Sequence, residues 1–187
     1  MLIALARHGR PISPTTTPIS GRELGEWVRR YNELGVVRSV APPASLRQLA
    51  AQSACVLASD MRRSVESAAW LVPPREVRID AGLREAGLPE TIELPIRMSP
   101  RAWVAIARAL WWLNLCAAPE TIGAARRRAV KMTDRLCVLA GEHEAVLVIG
   151  HGIFNRFIAR ELLKRGWRGP RLFRLDHWEA ARYVLDR

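Results

Sequence analysis

Two histidines, each followed by a glycine, stand directly after short apolar runs of the chain. The first is in Arg7-His8-Gly9, after residues 2–6, and the second is in His151-Gly152, after residues 145–149. A neutral imidazole can attack phosphorus as a nucleophile, and an imidazolium can stabilise charge that develops on phosphoryl oxygens. The arginine before the first histidine offers a fork of N–H donors that suits phosphate or carboxylate. These residue types favour chemistry on an anion.

Two further side chains fit the same chemistry. Arg63 is expected in the first turn of a helix capped by Ser59-Asp60, where it could hold anionic oxygens through its fork geometry. Glu85 is expected in a loop after a short strand, where a carboxylic acid could protonate a departing oxygen and later activate water. Free N–H groups at a helix N-terminus near Gly152 would add donors. The predicted catalytic residues are His8, Glu85 and His151, and the predicted phosphate-binding residues are Arg7, Arg63 and Gly152.

These side chains meet only if the apolar runs are strands of one sheet. Continuous apolar runs bounded by turn residues are typical of buried parallel strands, and ligands collect beyond the carboxyl ends of such strands. Strand and helix patterns alternate along the chain, which predicts an α/β fold with a mainly parallel sheet between two layers of helices. Strands are expected at 2–6, 53–58, 77–79, 145–149 and 181–185, and helices at 21–34, 61–71, 99–115, 119–140 and 153–164.

The length of 187 residues predicts one domain, spanning residues 1–187, with enough chain for a substantial core. A loop-rich and helical insertion is expected at about 80–118, because this region holds several prolines before a helix that Ser99-Pro100 would open. No apolar run approaches the roughly 20 residues that span a membrane. Residues 1–6 are too short for a signal peptide and lack its charged flank. We expect a cytoplasmic protein that does not associate with membranes.

The charge of the chain is strongly positive. It has 29 Lys and Arg against 18 Asp and Glu, a formal net charge of +11, and nearly all the cations are arginine. This favours a phosphorylated small molecule or a phosphoprotein as partner, although such charge also aids solubility. No nucleic-acid-binding motif accompanies it, so no nucleic-acid partner is expected. The three widely spaced cysteines fit reduced thiols better than a disulfide framework or a zinc site. No metal and no cofactor are predicted.

The motifs occur in an order that resembles the histidine phosphatase superfamily, also called the phosphoglycerate mutase-like family. Residues 59–68 resemble the family's Ser-Asp/Pro-x-x-Arg-Ala-x-x-Thr-Ala pattern, residues 83–85 its Leu-x-Glu, and residues 149–152 its apolar-His-Gly; Arg7-His8-Gly9 matches its first motif. The resemblance spans nearly the whole chain. It implies a phosphoglycerate mutase-like three-layer fold and a His8 that becomes transiently phosphorylated. The implied activity is metal-independent hydrolysis of a phosphate monoester.

Two departures from the family pattern bear on function. Residues 11–15 read Pro-Ile-Ser-Pro-Thr where cofactor-dependent mutases carry an asparagine, which disfavours a mutase. Glu85 is followed by Ala-Gly-Leu-Pro instead of the usual Gly-x-Trp-Glu-Gly, which leaves Glu90 and Glu93 as alternative acids. A phosphotransferase, a phosphohistidine protein phosphatase and a non-catalytic phosphate- or phosphoprotein-binding module are the alternative functions.

Several other polar or aromatic residues permit more than one interpretation. His177 could line the pocket, Arg10 could extend it or face solvent, and residues 13–17 could offer hydroxyls to phosphate or form a plain polar loop. His143 lies between two glutamates, but no partner histidine stands at a usable spacing, so a solvent-exposed position is favoured over a metal site. Trp111-Trp112 favours a core or dimer contact over a substrate lid, and a homodimer is left open.

Overall fold

The architecture is described for residues 1–186 by a computed structural model. The strands are β1 (Leu2–Arg7), β2 (Ile19–Ser20), β3 (Cys55–Ala58), β4 (Val77–Ile79), β5 (Arg97–Met98), β6 (Ala145–Gly150) and β7 (Ala180–Val184). The α-helices are α1 (Leu24–Glu33), α2 (Ala44–Ala51), α3 (Arg62–Ala69), α4 (Pro100–Trp112), α5 (Ile122–His143) and α6 (Gly152–Lys164). Five strands form one sheet in the order β4-β3-β6-β1-β7, and β2 pairs with β5 in a small ribbon.

The centre of the sheet is formed by β1 and β6, the two apolar segments that precede the histidines. They are parallel, with Leu2 opposite Ala145 and Arg7 opposite Gly150. β3 and β4 continue the sheet in parallel on one side, and β7 runs antiparallel to β1 at the other edge. Continuous apolar sequence suits these strands because helices cover both faces of a parallel sheet. The predicted mainly parallel sheet is confirmed.

Alternate side chains of β1 enter two different core layers. Ile3 and Leu5 pack with side chains of α5 and α6, whereas Ala4 and Ala6 pack with side chains of α2 and α3. All four are fully buried. Burying a large aliphatic side chain such as Ile3 or Leu5 stabilises the fold by about 1.5–3 kcal/mol relative to leaving it exposed, so the layer with α5 and α6 contributes most to holding β1 in place. The three-layer α/β/α arrangement predicted from the sequence is therefore confirmed.

The helix starts follow local sequence signals to different degrees. Ser99 caps α4 as predicted, since its Oγ accepts the N–H of Ala102 at 3.3 Å and Pro100 takes the first helical position. The expected cap of α3 is wrong, because Met61 is the N-cap and Ser59 Oγ accepts the N–H of Met61 at 3.3 Å in the turn before the helix. None of the helices within residues 1–186 combines the length and apolar character that crossing a membrane requires.

Two features of the fold had no counterpart in the sequence analysis. The helix α2 buries Leu46 and Leu49 but was not predicted, and the ribbon of β2 and β5 lies in segments expected to be loops. Strands of two residues leave no periodic signal. A separate core cluster joins α1 to α4, where the fully buried Trp103 donates its indole N–H to the carbonyl of Ile19 at 2.8 Å. This cluster anchors the region of the predicted insertion.

Candidate active site

The two histidines identified in the sequence lie side by side at the carboxyl edge of the sheet. Because Arg7 is opposite Gly150, His8 and His151 follow at the same level of neighbouring strands. The N–H of His8 donates to the carbonyl of Gly150 at 3.0 Å. The centroids of the two imidazole rings are 5.1 Å apart, and the planes meet at 62°. Strand register therefore brings together two residues that are far apart in the chain.

His8 is buried, and its hydrogen bonds select one tautomer. The Nε of Arg63 lies 3.2 Å from Nε2 of His8. A guanidinium nitrogen only donates, so Nε2 is the acceptor and Nδ1 carries the proton. Nδ1 then donates to the carbonyl of Gly9 at 2.7 Å. The lone pair on Nε2 is what a nucleophile requires.

The charge state of His8 also favours a nucleophile. Burial holds the pKa of His8 well below its ordinary value of 6.5, and the positive charges of Arg63 and Arg7 lower it further. The hydrogen bond to Gly9 acts in the opposite direction but does not prevail. Because burial and nearby cations both disfavour the imidazolium, His8 is neutral at neutral pH.

Arg63 reaches His8 from the first turn of α3 as a buried cation, with 3% of its surface exposed. Its Nη1 donates to Oδ1 of Asn32 at 3.0 Å, and its guanidinium carbon lies 4.9 Å from the ring centroid of Tyr31. Burial lowers the pKa of Arg63, while the charges of Tyr31 and Glu85 raise it. The guanidinium is thus held beside His8 by Asn32 and Tyr31, and no carboxylate forms a salt bridge with it among the described residues.

Arg7 and Gly152 lie beneath the segment that leads into β7. Nη1 of Arg7 donates to the carbonyl of Leu175, and its Nε is buried without a partner among residues 1–186. The side chain of Leu175 also lies over Gly152, where an added Cβ would be 2.7 Å from Cδ2 of Leu175. The carbonyl of Leu175 therefore occupies one of the Arg7 donors that the sequence analysis predicted for phosphate.

Glu85 reaches the same edge of the sheet, and both of its carboxylate oxygens accept hydrogen bonds from backbone N–H groups. Oε2 accepts the N–H of Ile153 at 3.1 Å, and Oε1 accepts the N–H of Phe154 at 2.9 Å. The carboxylate thereby satisfies two donors in the first turn of α6, where the helix dipole favours negative charge. The expectation that N–H groups near Gly152 are free for an anion is wrong for these two groups, because Glu85 binds them.

The sequence left the roles of His177 and Arg10 open, and the structure places both near this site. The ring centroid of His177 lies 5.7 Å from that of His8. Desolvation lowers the pKa of His177 to about 4, and the positive charges of Arg7 and Arg10 contribute to the decrease. His177 is therefore a neutral side chain next to His8.

Other residues considered from the sequence have local roles or lie elsewhere. In the 13–17 loop, Ser13 Oγ donates to the carbonyl of Thr15, and Thr15 Oγ1 accepts the N–H of Thr17, each at 3.0 Å. His143 ends α5 at the opposite end of the sheet, next to Arg78. No group of three or more His, Cys, Asp or Glu within the described chain is placed to hold a metal ion.

Sequence reasoning missed three side chains that contact the site. Ser67 Oγ accepts the N–H of Gly9 at 2.8 Å and donates to the carbonyl of Arg63 at 2.6 Å, while Ser64 contacts His151. Both serines lie in the same motif as Arg63, so their helical spacing could have placed them near it. Asn32 comes from α1, and no local signal links that helix to the site.

The carboxyl edge of the mainly parallel sheet thus carries two adjacent histidines and a buried arginine, the residues that the sequence analysis predicted for phosphoryl chemistry. The chain belongs to the histidine phosphatase superfamily, branch 1, whose sequence model matches residues 3–187. Its activity is accordingly of the phosphatase type. A comparison with curated proteins gave no match.

Solved structures with the same fold share little sequence with the chain. A mycobacterial glucosyl-3-phosphoglycerate phosphatase is 19% identical with a TM-score of 0.56, covering 87% of this chain and 79% of its own. The product of a Mycobacterium tuberculosis open reading frame is 19% identical with a TM-score of 0.59, covering 99% and 91%. Phosphoserine phosphatase from Entamoeba histolytica, in complex with 3-phosphoglyceric acid, is 13% identical with a TM-score of 0.61, covering 98% and 90%. These likenesses establish the fold.

Proposed function

We propose that this chain hydrolyses phosphate monoesters through a phosphohistidine at His8 and without a metal ion. The observation that carries the proposal is the buried, neutral His8, whose Nε2 accepts a hydrogen bond from Arg63. In the first step Nε2 attacks phosphorus, the ester P–O bond breaks, and the departing oxygen takes a proton. In the second step water attacks the phosphohistidine, the N–P bond breaks, and inorganic phosphate leaves.

The phosphoryl group is held by residues that surround His8. Arg63 supplies a guanidinium at the nucleophile, and Arg7 supplies a second one after the carbonyl of Leu175 has been displaced. His151 also lies beside the nucleophile, with its ring 5.1 Å from that of His8. Donors placed before the reaction stabilise developing charge on the phosphoryl oxygens without reorganisation.

The substrate class is inferred from charge and from the structural neighbours. The net charge of +11 favours an anionic substrate. Two of the neighbours are named as phosphatases of glucosyl-3-phosphoglycerate and of phosphoserine, which are small phosphorylated molecules. We therefore place a phosphorylated small molecule ahead of a phosphoprotein as the substrate of this chain.

Release of phosphate from a panel of phosphorylated metabolites and phosphopeptides tests the proposal. We expect turnover of at least one metabolite, with the same rate before and after treatment with EDTA, because the proposed site uses no metal. Loss of activity on chelation that a single metal restores would identify a metallophosphatase instead. Tight binding of vanadate without turnover of any compound would favour the phosphate-binding module, and turnover restricted to phosphopeptides would favour the protein phosphatase.

Glu85 is proposed as the acid that protonates the leaving group and then activates water. To donate a proton it must exchange its present hydrogen bonds with α6 for one with the ester oxygen. We expect Glu85→Gln to slow hydrolysis of alkyl phosphates by about a hundredfold or more, and of aryl phosphates much less, because only a poor leaving group needs the proton. The measurement is kcat/KM for the two ester types.

The loss of helix capping must be separated from this effect. Glu85→Gln replaces one acceptor oxygen that now binds α6, so thermal unfolding is measured alongside the kinetics. Glu142→Gln is the matched control, since the side chain of Glu142 is 59% exposed near the end of α5, at the end of the sheet opposite His8 and His151. Equal losses on alkyl and aryl esters would mean that Glu85 only positions α6. Glu90 and Glu93 would then be the acids to examine.

A further inference from the structure

Ser64 contacts the second histidine in the interior of the protein. Its Oγ lies 3.3 Å from Nε2 of His151, and both residues are fully buried. The N–H of Ser64 is satisfied separately by the carbonyl of Met61 at 2.8 Å. The hydroxyl makes no other hydrogen bond within the described residues. Its proton has one available acceptor, the imidazole nitrogen.

The direction of this hydrogen bond follows from the number of buried polar groups that each direction leaves unpaired. If Nε2 carried the proton and donated to Oγ, the hydroxyl proton of Ser64 and the lone pair on Nδ1 of His151 would both be left unpaired. A buried donor without a partner loses its hydration and gains nothing in return. If the hydroxyl instead donates to Nε2, both of these atoms are satisfied, and Nδ1–H is the single group of the pair left without a partner among the described residues. This direction places the single proton of neutral His151 on Nδ1.

The other ring nitrogen of His151 is the one that the described residues leave unpaired. Nδ1 is buried and has no partner among residues 1–186, and the amide nitrogen of Asn155, one turn along α6, donates to the carbonyl of Ala6 at 3.0 Å. Burial and the positive charge of Arg63 hold the pKa of His151 well below 6.5. A neutral ring has one N–H to offer, so its tautomer decides whether an anion meets a donor or a lone pair.

We propose that Ser64 is a positioning residue whose hydroxyl donates to Nε2 of His151, so that the neutral imidazole presents Nδ1–H to the phosphoryl group. The role at the phosphoryl group rests on the proposed function, whereas the tautomer is a property of the resting protein. The serine acts through the histidine and does not itself touch the substrate.

The tautomer is measured directly by long-range proton–nitrogen correlation spectra of the nitrogen-labelled full chain. The chain has four histidines, so loss of one signal in His151→Gln assigns the ring. We expect the wild-type protein to carry the His151 proton on Nδ1. In Ser64→Ala, and in Ser64→Cys, whose thiol is a weak donor of similar size, we expect the proton to be found at least partly on Nε2.

Kinetics and vanadate affinity then test whether the tautomer matters. We expect both Ser64 variants to lose about tenfold in kcat/KM and in vanadate affinity, the usual effect of mispairing one buried hydrogen-bonding group. Thr133→Val is the matched control, because it also removes a fully buried hydroxyl, one that donates to the carbonyl of Ala129 at 2.7 Å in α5. It should leave the His151 tautomer and vanadate affinity unchanged.

Each outcome decides a specific claim. A wild-type His151 protonated on Nε2, or a tautomer unchanged in both Ser64 variants, overturns the assignment of the hydrogen bond. A changed tautomer with unchanged vanadate affinity overturns the positioning role. If Ser64→Ala does not fold, Ser64→Cys keeps the volume and carries the test. If the wild-type protein hydrolyses no phosphate monoester but shows the Nδ1–H tautomer, the proposed function fails while the Ser64 assignment stands.

Discussion

Replacement of His8 with alanine is expected to abolish the phosphoenzyme and to lower kcat by at least about a thousandfold, because the variant has no nucleophile to divide the reaction into two steps. The neutral imidazole with its lone pair on Nε2 is the group that attacks in our proposal. Rapid quench with labelled substrate should trap an acid-labile, base-stable phosphoenzyme in the wild-type protein. The same experiment on His8→Ala should trap none.

A second histidine variant serves as the control for this result. His143→Ala removes an imidazole at the amino end of β6, opposite the edge where β6 leads into His151. It should form the phosphoenzyme in the wild-type amount and at the wild-type rate. An equal amount of label in His8→Ala would mean that another group attacks phosphorus. His177 would then be the next histidine to replace, because its ring lies 5.7 Å from that of His8.

Replacement of Arg63 with methionine is expected to weaken vanadate binding by about 2 to 4 kcal/mol, the usual effect of removing a donor from a dry, preorganised anion site. Vanadate mimics the trigonal-bipyramidal phosphoryl group, so the loss reports on transition-state stabilisation. Methionine keeps an unbranched chain in the buried position while it removes the donors that reach His8 and Asn32. Inhibition constants for vanadate, measured together with kcat/KM, provide the test.

The adjacent arginine is the matched control for Arg63. Arg62 is 64% exposed and pairs with Glu66 at 2.7 Å, so Arg62→Met should change vanadate binding by less than about 1 kcal/mol. In the double variant of Arg63→Met with His151→Ala, the losses should be clearly smaller than their sum, because both groups bind one anion. Losses that simply add, or unchanged binding in Arg63→Met, would contradict a shared phosphoryl pocket.

Much of the fold was predictable because its strongest signals are local. The segments that became β1 and β6 are short apolar runs bounded by turn residues, and such runs can only be buried strands or short buried helices. The start of α4 was predictable from Ser99-Pro100, since capping depends on residues within one turn. The helix α2 and the ribbon of β2 and β5 were missed, because their short lengths carry little periodicity and they depend on packing partners from distant parts of the chain.

The sequence by itself determined the two strand ends that carry His8 and His151 and the family to which these motifs correspond. Only the tertiary structure decided the protonation and the partners of these residues. The register of β1 with β6 brought the rings to 5.1 Å, and the burial that follows made both imidazoles neutral. Tautomers, the engagement of Glu85 by α6 and the contact of Ser64 with His151 depend on long-range geometry and desolvation. No local pattern of residue types encodes them.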